Sequence, residues 1–279
     1  MFHDKLQNNV NFDMKMFENV MEYLKDSSFT NNPTLEVYYN ILLMEKTKDE
    51  KYFYALKELR NKYKDSLTPF DNYMLYLHMD SYCTTAFNEH CRTDLLNEQF
   101  MLVRENLMYN IPEHGKILYP DFLNEVKKAV RVNEFDWAED YIERYNHILT
   151  EEKENTLNFC YGFISYKKGE LDKALDHFSK TNFSNFIIKV QVRILLLQLY
   201  IEKEYYDQAE LLIDTFRHYV SREKAIRDTI KISLLEFLKI TGDLIKLKSG
   251  LNENDNGYKY AKLKNDIEHM SSNLSLIHI

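Results

Sequence analysis

The residues best suited to bind a metal are two histidines and two cysteines close together in the sequence: His78, Cys83, His90 and Cys91. Imidazole nitrogens and thiolates are the usual zinc ligands. On a helix, however, Cys83 and His90 share a face, while His78 is rotated away and Cys91 points apart from His90. The spacing therefore favours buried thiols and polar-face histidines over a zinc site. We predict no metal and no other cofactor.

A second group that could do chemistry is the acidic run of Glu151, Glu152 and Glu154. Carboxylates can act as general acids and bases. These three come just before a helical segment, where each carboxylate stabilises the helix N-terminus by about 0.3 to 1 kcal/mol. The motifs HExxH, GxSxG and GxxxxGK[ST] do not occur in the chain. We therefore expect a non-catalytic protein; the alternative, an enzyme in a helical array, would need a deep pocket with titratable side chains of perturbed pKa.

Composition limits the fold and the class of partner. Six Gly and four Pro stand against 21 Tyr and 17 Phe in 279 residues, which is too few turn residues for a many-stranded β protein. The formal charge of −8 argues against a general nucleic-acid binder, because neutralising phosphates needs a basic surface. Three cysteines suit a reducing compartment, and the most apolar run, residues 194–201, is too short to span a bilayer. We expect an all-α cytoplasmic protein.

Small residues recur in the second half of the chain at a spacing typical of helical repeats. Ala138, Ala174 and Ala209 are 36 and 35 residues apart, and a large apolar residue follows each alanine by four positions. A small side chain lets two helices approach closely, and the bulky residue one turn later fills the groove beside it. Gly162 and Gly169 add a close approach and a helix end to the middle unit.

These residues resemble the tetratricopeptide (TPR) repeat, a helix–turn–helix unit of about 34 residues. The resemblance covers about Tyr119 to Leu251. The unit from Asn155 to about Lys189 matches it through Gly162, Tyr166, Gly169, Ala174 and Phe178. A fourth unit would place a turn at Gly242 and Leu247 in the position of the alanine. The resemblance implies an all-α, right-handed solenoid of antiparallel helix hairpins that serves as a protein interaction module.

The domain organisation follows from this assignment. We expect divergent helix hairpins in residues 1–110, with Asn32 and Thr68 as helix caps before prolines, a boundary loop at 110–120, TPR-like repeats in 119–251 and a C-terminal helix in 252–273. The last six residues, 274–279, back-translate to CTG TCT CTT ATA CAC ATC, an adapter end used in transposase-based sequencing libraries. We expect this hexapeptide to be a sequencing artefact and the chain to continue past Asn273.

In TPR arrays the first helix of each hairpin lines a concave face that receives a peptide or a partner helix. The matching positions in this sequence are Lys127, Arg131, Phe159, Phe163, Tyr166, Lys167, Ile194 and Gln198. For Phe159 and Phe163 the alternative is burial against the next hairpin. The mixed basic and aromatic lining would suit a peptide with apolar anchors and acidic character, and it departs from the Lys and Asn pattern of TPR domains that bind chaperone tails.

A second possible function is a regulatory domain that changes curvature on binding a ligand. The sequence leaves the oligomeric state open.

Overall fold

The computed structural model describes residues 15–26, 32–107, 117–149, 151–223, 228–249 and 262–265, and these residues are predominantly helical. Within these ranges no β-strand is formed, and an isolated parallel bridge joins Ile117 to Leu149. The all-α class predicted from composition is therefore confirmed. The chain divides into two compact units, residues 1–113 and 114–279.

The first unit contains five α-helices in its described part, and two of them begin at predicted caps. In chain order they are α1 (Lys15–Asp26), α2 (Pro33–Thr47), α3 (Glu50–Lys62), α4 (Pro69–His90) and α5 (Leu95–Leu107). The Asn32 side chain accepts a hydrogen bond from the Leu35 amide at 3.1 Å. Thr68 and Asp71 form a reciprocal capping box at the start of α4. Both predicted caps are confirmed.

The core of the first unit forms where helices close in the sequence pack together. α2 packs against α3 and α4, α3 also contacts α4, and α4 packs against α5. Val37, Phe53, Leu75 and Met79 are completely buried at these contacts. The Phe53 ring also stacks on Tyr82, with 5.3 Å between the ring centroids.

The second unit contains seven described α-helices and one 3-10 turn. They are α6 (Tyr119–Arg131), α7 (Phe135–Tyr145), the turn Asn146–Ile148, α8 (Lys153–Lys167), α9 (Leu171–Ser179), α10 (Phe186–Glu202), α11 (Tyr206–Arg222) and α12 (Asp228–Lys248). α6 packs against α7, α8 against α9, and α10 against α11. Further contacts join α6 to α8, α7 to α8, α9 to α10 and α11 to α12.

Three connections in the second unit share one backbone conformation. They join α6 to α7, α8 to α9 and α10 to α11, and each contains one residue with a left-handed backbone: Asn133 (φ 62°), Gly169 (φ 78°) and Glu204 (φ 58°). The next residue in each connection has φ between −85° and −83° and ψ between 61° and 66°. Its amide donates a hydrogen bond of 2.8 to 3.0 Å to the carbonyl five positions earlier. This is the left-handed helix end that satisfies terminal carbonyls, and it occurs here at the spacing of the alanines.

The three alanines occupy the same place in the helices that follow these turns. Ala138, Ala174 and Ala209 are fully buried, and each alanine amide donates to the carbonyl of the residue just before its helix, at 3.0 Å. The large residues four positions later are also buried: Ile142, Phe178 and Ile213. The alternating small and large side chains therefore lie inside the packed helices.

Gly162 and Gly242 play different parts in the second unit. A β-carbon on Gly162 would lie 3.0 Å from the Phe178 ring and 3.2 Å from the β-carbon of His177, so α8 and α9 meet closely at this position. The predicted turn at Gly242 is wrong, because α12 continues through this residue to Lys248. Gly242 instead faces Ile213 and Arg217 of α11, and contact with that helix keeps the segment helical.

Some sequence predictions fall on residues outside the described ranges. The predicted C-terminal helix is described at residues 262–265, which are helical. The possible artefact at 274–279 lies outside the described residues. The predicted boundary loop is described from residue 117 onward, and the division between the two units falls after residue 113.

Candidate functional site

Side chains of α6, α8 and α10 meet at a polar surface in the second unit. Lys127 of α6 donates a hydrogen bond to the Gln191 side-chain oxygen of α10, at 3.4 Å. The Tyr166 hydroxyl of α8 donates to Glu202 Oε1 of α10, at 2.7 Å. We call this surface the polar seam and define it by Lys127, Arg131, Tyr166, Lys167, Gln191, Gln198 and Glu202.

Lys127 is the most deeply buried charged residue of the polar seam, with 8 % of its surface exposed. Burial, and next the positive charge of Arg131, lower the pKa of Lys127 to about 7. Gln191, its hydrogen-bond acceptor, is neutral. Among the described residues no carboxylate lies within salt-bridge distance of the Lys127 amine. At neutral pH a large fraction of this lysine is therefore uncharged.

Arg131 and Lys167 extend the positive charge of the polar seam toward α8. The Lys167 amine lies 5.6 Å from the Tyr166 ring centroid and 5.7 Å from that of Phe163, within the range of cation–π attraction. Desolvation and then Arg131 lower the pKa of Lys167, while the Glu202 carboxylate opposes this shift. Burial and the hydrogen bond to Glu202 raise the pKa of Tyr166, so its hydroxyl stays protonated and donates.

Four of the predicted partner-binding residues are buried instead of lying on an accessible face. Lys127 is 8 % exposed, and Phe159, Phe163 and Ile194 are each at most 4 % exposed. The Phe159 ring contacts Phe178 and Phe183 edge to face, at centroid distances of 5.7 and 6.2 Å. For both phenylalanines the packing alternative describes the structure. Of the predicted set, Arg131, Tyr166, Lys167 and Gln198 keep exposed surface.

Sequence reasoning missed Gln191 and Glu202, which bring α10 into the polar seam. Together with Gln198 they are spaced i, i+7 and i+11, which places them on one stripe of a helix. The spacing could have been recognised, but α10 is apolar on almost every side, and such a pattern indicates a fully buried helix. The partners across the seam, Lys127 and Tyr166, come from helices distant in sequence.

A further titratable cluster lies in the first unit, where His78 contacts a buried glutamate. Glu45 accepts from Lys48 at 2.9 Å and lies 3.1 Å from the His78 ring nitrogen. Burial alone would raise the pKa of Glu45, but the hydrogen bonds from His78 and Lys48 outweigh burial and lower it to about 2. Cys83 is buried and Cys91 is exposed. In the described part of the chain, no three His, Cys, Asp or Glu residues are grouped as metal ligands would be.

A surface depression of about 480 Å³ lies along α11 and is lined by Thr215, His218, Tyr219, Arg222 and Glu223. The Tyr219 ring stacks on Phe186 at 5.4 Å, and the guanidinium carbon of Arg193 is 3.9 Å from its centroid. All of these lining groups come from α11 and the residue that follows it, Glu223. The depression therefore lacks the convergence of several elements that usually defines a small-molecule site.

Two further findings bear on the class of protein. No helix within the described ranges combines the length and the apolar character needed to cross a membrane. Comparison with protein-family models, with curated proteins and with solved structures found no match for this chain.

Proposed function

We propose that residues 119–251 form a TPR-like array that binds an extended peptide or a partner helix along the polar seam. In this proposal the protein is a non-catalytic, cytoplasmic interaction module, and each pair of helices joined by a repeated turn is an antiparallel hairpin of a right-handed solenoid. Support comes from the turns at Asn133, Gly169 and Glu204, which recur at intervals of 36 and 35 residues with the same backbone conformation.

The partner's chemistry is proposed from one observation, the positive charges of Arg131 and Lys167, which lie close enough for Arg131 to lower the pKa of Lys167 on a chain whose formal charge is −8. A partner's carboxylate is attracted to such a pair of positive charges and can form charge-assisted hydrogen bonds with them. Tyr166 adds an aromatic surface beside Lys167. A peptide with an acidic residue flanked by apolar side chains would provide a carboxylate for the positive charges and an apolar contact for the Tyr166 ring.

Selection from a displayed random-peptide library against the purified chain tests this proposal. We expect an acidic consensus with apolar neighbours. The double variant Arg131→Glu with Lys167→Glu should weaken binding of the selected peptides roughly tenfold or more, because charge-assisted contacts contribute about 1.5 to 3 kcal/mol. Isothermal titration calorimetry measures the affinity, and circular dichroism checks the helical content.

The matched control makes the same charge change elsewhere in the second unit. Lys173 and Lys180 are exposed residues at α9 and pair with Glu170 and Asp176. The variant Lys173→Glu with Lys180→Glu should keep the affinity of the parent chain. Equal affinity of all three proteins for the selected peptides, or a selection without acidic residues, would overturn the proposed binding surface.

A further inference from the structure

The helix α12 carries two separate apolar stripes. Side chains of the first stripe are buried in a core shared with α10 and α11: Leu234, Leu238 and Ile245. Side chains of the second stripe belong to a different cluster, which includes Leu263: Phe237, Ile240, Leu244 and Leu247. A helix that is apolar on more than one side packs against more than one neighbour. The first stripe has α11 as its neighbour, and the second stripe calls for another.

The second stripe, which we call the outer stripe, has the spacing of a coiled-coil seam. Its members Phe237, Ile240, Leu244 and Leu247 follow one another at intervals of three, four and three residues. These are the intervals of alternating a and d positions in a heptad, where each side chain inserts between residues of a facing helix. A helix with the same seam is the complementary partner, and α12 of a second copy provides one.

Charged residues beside the outer stripe favour one orientation of such a pair. Glu236 and Asp243 lie on one flank of the stripe, Lys248 lies on the other, and all three are exposed. In a parallel pair, Asp243 of one copy faces Lys248 of the other, and symmetry provides this contact twice. In an antiparallel pair the two acidic flanks would face each other. The charges therefore favour a parallel pair.

In the structure the outer stripe is covered by the C-terminal segment of the same chain, residues 262–265. Leu263 is 6 % exposed and packs with Ile240, which is 7 % exposed. The residues on either side of this leucine, Lys262 and Lys264, are exposed. Among residues 262–265, Leu263 is thus the apolar anchor of the cover. The other members of the outer stripe are only partly buried.

We propose that the outer stripe of α12 is a self-association surface that the segment 262–265 covers. The segment and α12 of a second copy require the same apolar side chains, so they exclude each other. When Leu263 leaves Ile240, the stripe loses its anchor, and a parallel pair of α12 helices buries the stripe again. The outer stripe shares no residue with the polar seam, so this inference does not depend on the proposed binding function.

Substitution of the anchor leucine in the whole chain tests the proposal. Leu263→Asn should convert the protein to a dimer with a dissociation constant about tenfold or more below that of the parent, because the cover no longer competes for the apolar stripe. Lys264→Asn, at the exposed neighbouring position, should behave like the parent. Sedimentation velocity over a range of concentrations measures association, and circular dichroism checks the helical content. Equal association of Leu263→Asn and the parent would overturn the proposal.

A charge exchange distinguishes a specific pair of helices from non-specific association. In the Leu263→Asn protein, Asp243→Lys should weaken the dimer several-fold, because it places two like charges opposite each other at each contact with Lys248. Adding Lys248→Asp restores opposite charges and should recover most of the affinity. A dimer that responds to neither change, or larger aggregates in place of a dimer, would contradict the pairing through the outer stripe.

Discussion

Glu204 holds a backbone conformation that its side chain does not favour. Its φ of 58° is left-handed, which costs a residue with a β-carbon about 1 to 2 kcal/mol. Gly169 occupies the matching position of the preceding turn, with nothing within 4 Å of where a β-carbon would be, and it has no such cost. The two residues therefore provide a test of the repeated turn at single-residue resolution.

Glu204→Gly should raise the free energy of unfolding by about 1 kcal/mol, because Gly adopts the left-handed region without a steric penalty. Urea denaturation followed by circular dichroism measures the change. The control is Glu210→Gly in the interior of α11, which should lower stability by about 1 kcal/mol through lost helix propensity. If both glycine variants destabilise the protein, the left-handed turn assigned to Glu204 is incorrect.

The sequence allowed the turn at Gly169 to be predicted, but not those at Asn133 and Glu204. Glycine after an amphipathic segment is a local signal for a helix end. Glutamate carries no such signal, since its intrinsic preference is for the right-handed helix. At Glu204 the chain passes from α10 to α11, and the packing of these two helices against each other overrides the local preference.

Two buried glycines of the second unit, Gly162 and Gly242, offer a test at the scale of helix pairs. Gly162→Ala should destabilise the protein by about 1 to 2 kcal/mol, because overpacking against Phe178 and the His177 β-carbon exceeds the gain in helix propensity. Gly242→Ala should instead stabilise it by about 0.5 to 1 kcal/mol, since its β-carbon would lie at ordinary distances of 3.5 and 3.8 Å from α11 side chains.

Thermal and urea unfolding of both alanine variants measure this difference. The double variant Gly162→Ala with Phe178→Leu measures the coupling energy between the two positions. A smaller side chain at position 178 should recover part of the loss, because the contact that opposes the new methyl group is with the Phe178 ring. Stabilisation by Gly162→Ala would show that α8 and α9 do not meet as closely as the structure places them.

At the scale of elements, sequence patterns predicted helix starts better than helix ends. Asn32 and Thr68 were recognisable because capping is a local hydrogen-bond arrangement within four residues. Gly242 was misassigned as a turn because one glycine lowers helix propensity by only about 1 kcal/mol. Contacts between α12 and α11 are sufficient to outweigh that cost, and these contacts cannot be derived from the local sequence.

For the whole molecule, Lys127 should make folding stability depend on pH. Its pKa is about 7 in the folded chain, against an ordinary value of 10.5. Between these values the unfolded chain binds a proton that the folded chain does not, so stability rises with pH across the window. Below about pH 7 both states bind the proton, and the full cost of burying the charge is present.

Lys127→Met should abolish this dependence and stabilise the protein near neutral pH by roughly 2 kcal/mol, because methionine fills a similar volume without a buried charge. The measurement is the free energy of unfolding from about pH 6 to pH 10, compared with the parent chain. Lys173→Met, at an exposed site, should leave the parent curve unchanged. A constant difference between Lys127→Met and the parent at every pH would contradict the assigned protonation.

The sequence by itself determined the all-α class, the helix caps and the spacing of the small residues, since each depends on composition or on contacts within one or two helical turns. The tertiary structure decided which candidate side chains are accessible. Phe159 and Phe163 became core, whereas Lys127 became buried and acquired Gln191, from another helix, as its hydrogen-bond acceptor. Burial and electrostatic surroundings depend on helices that are far apart in the chain, so a local pattern can place a residue on a helix face but cannot show what covers that face.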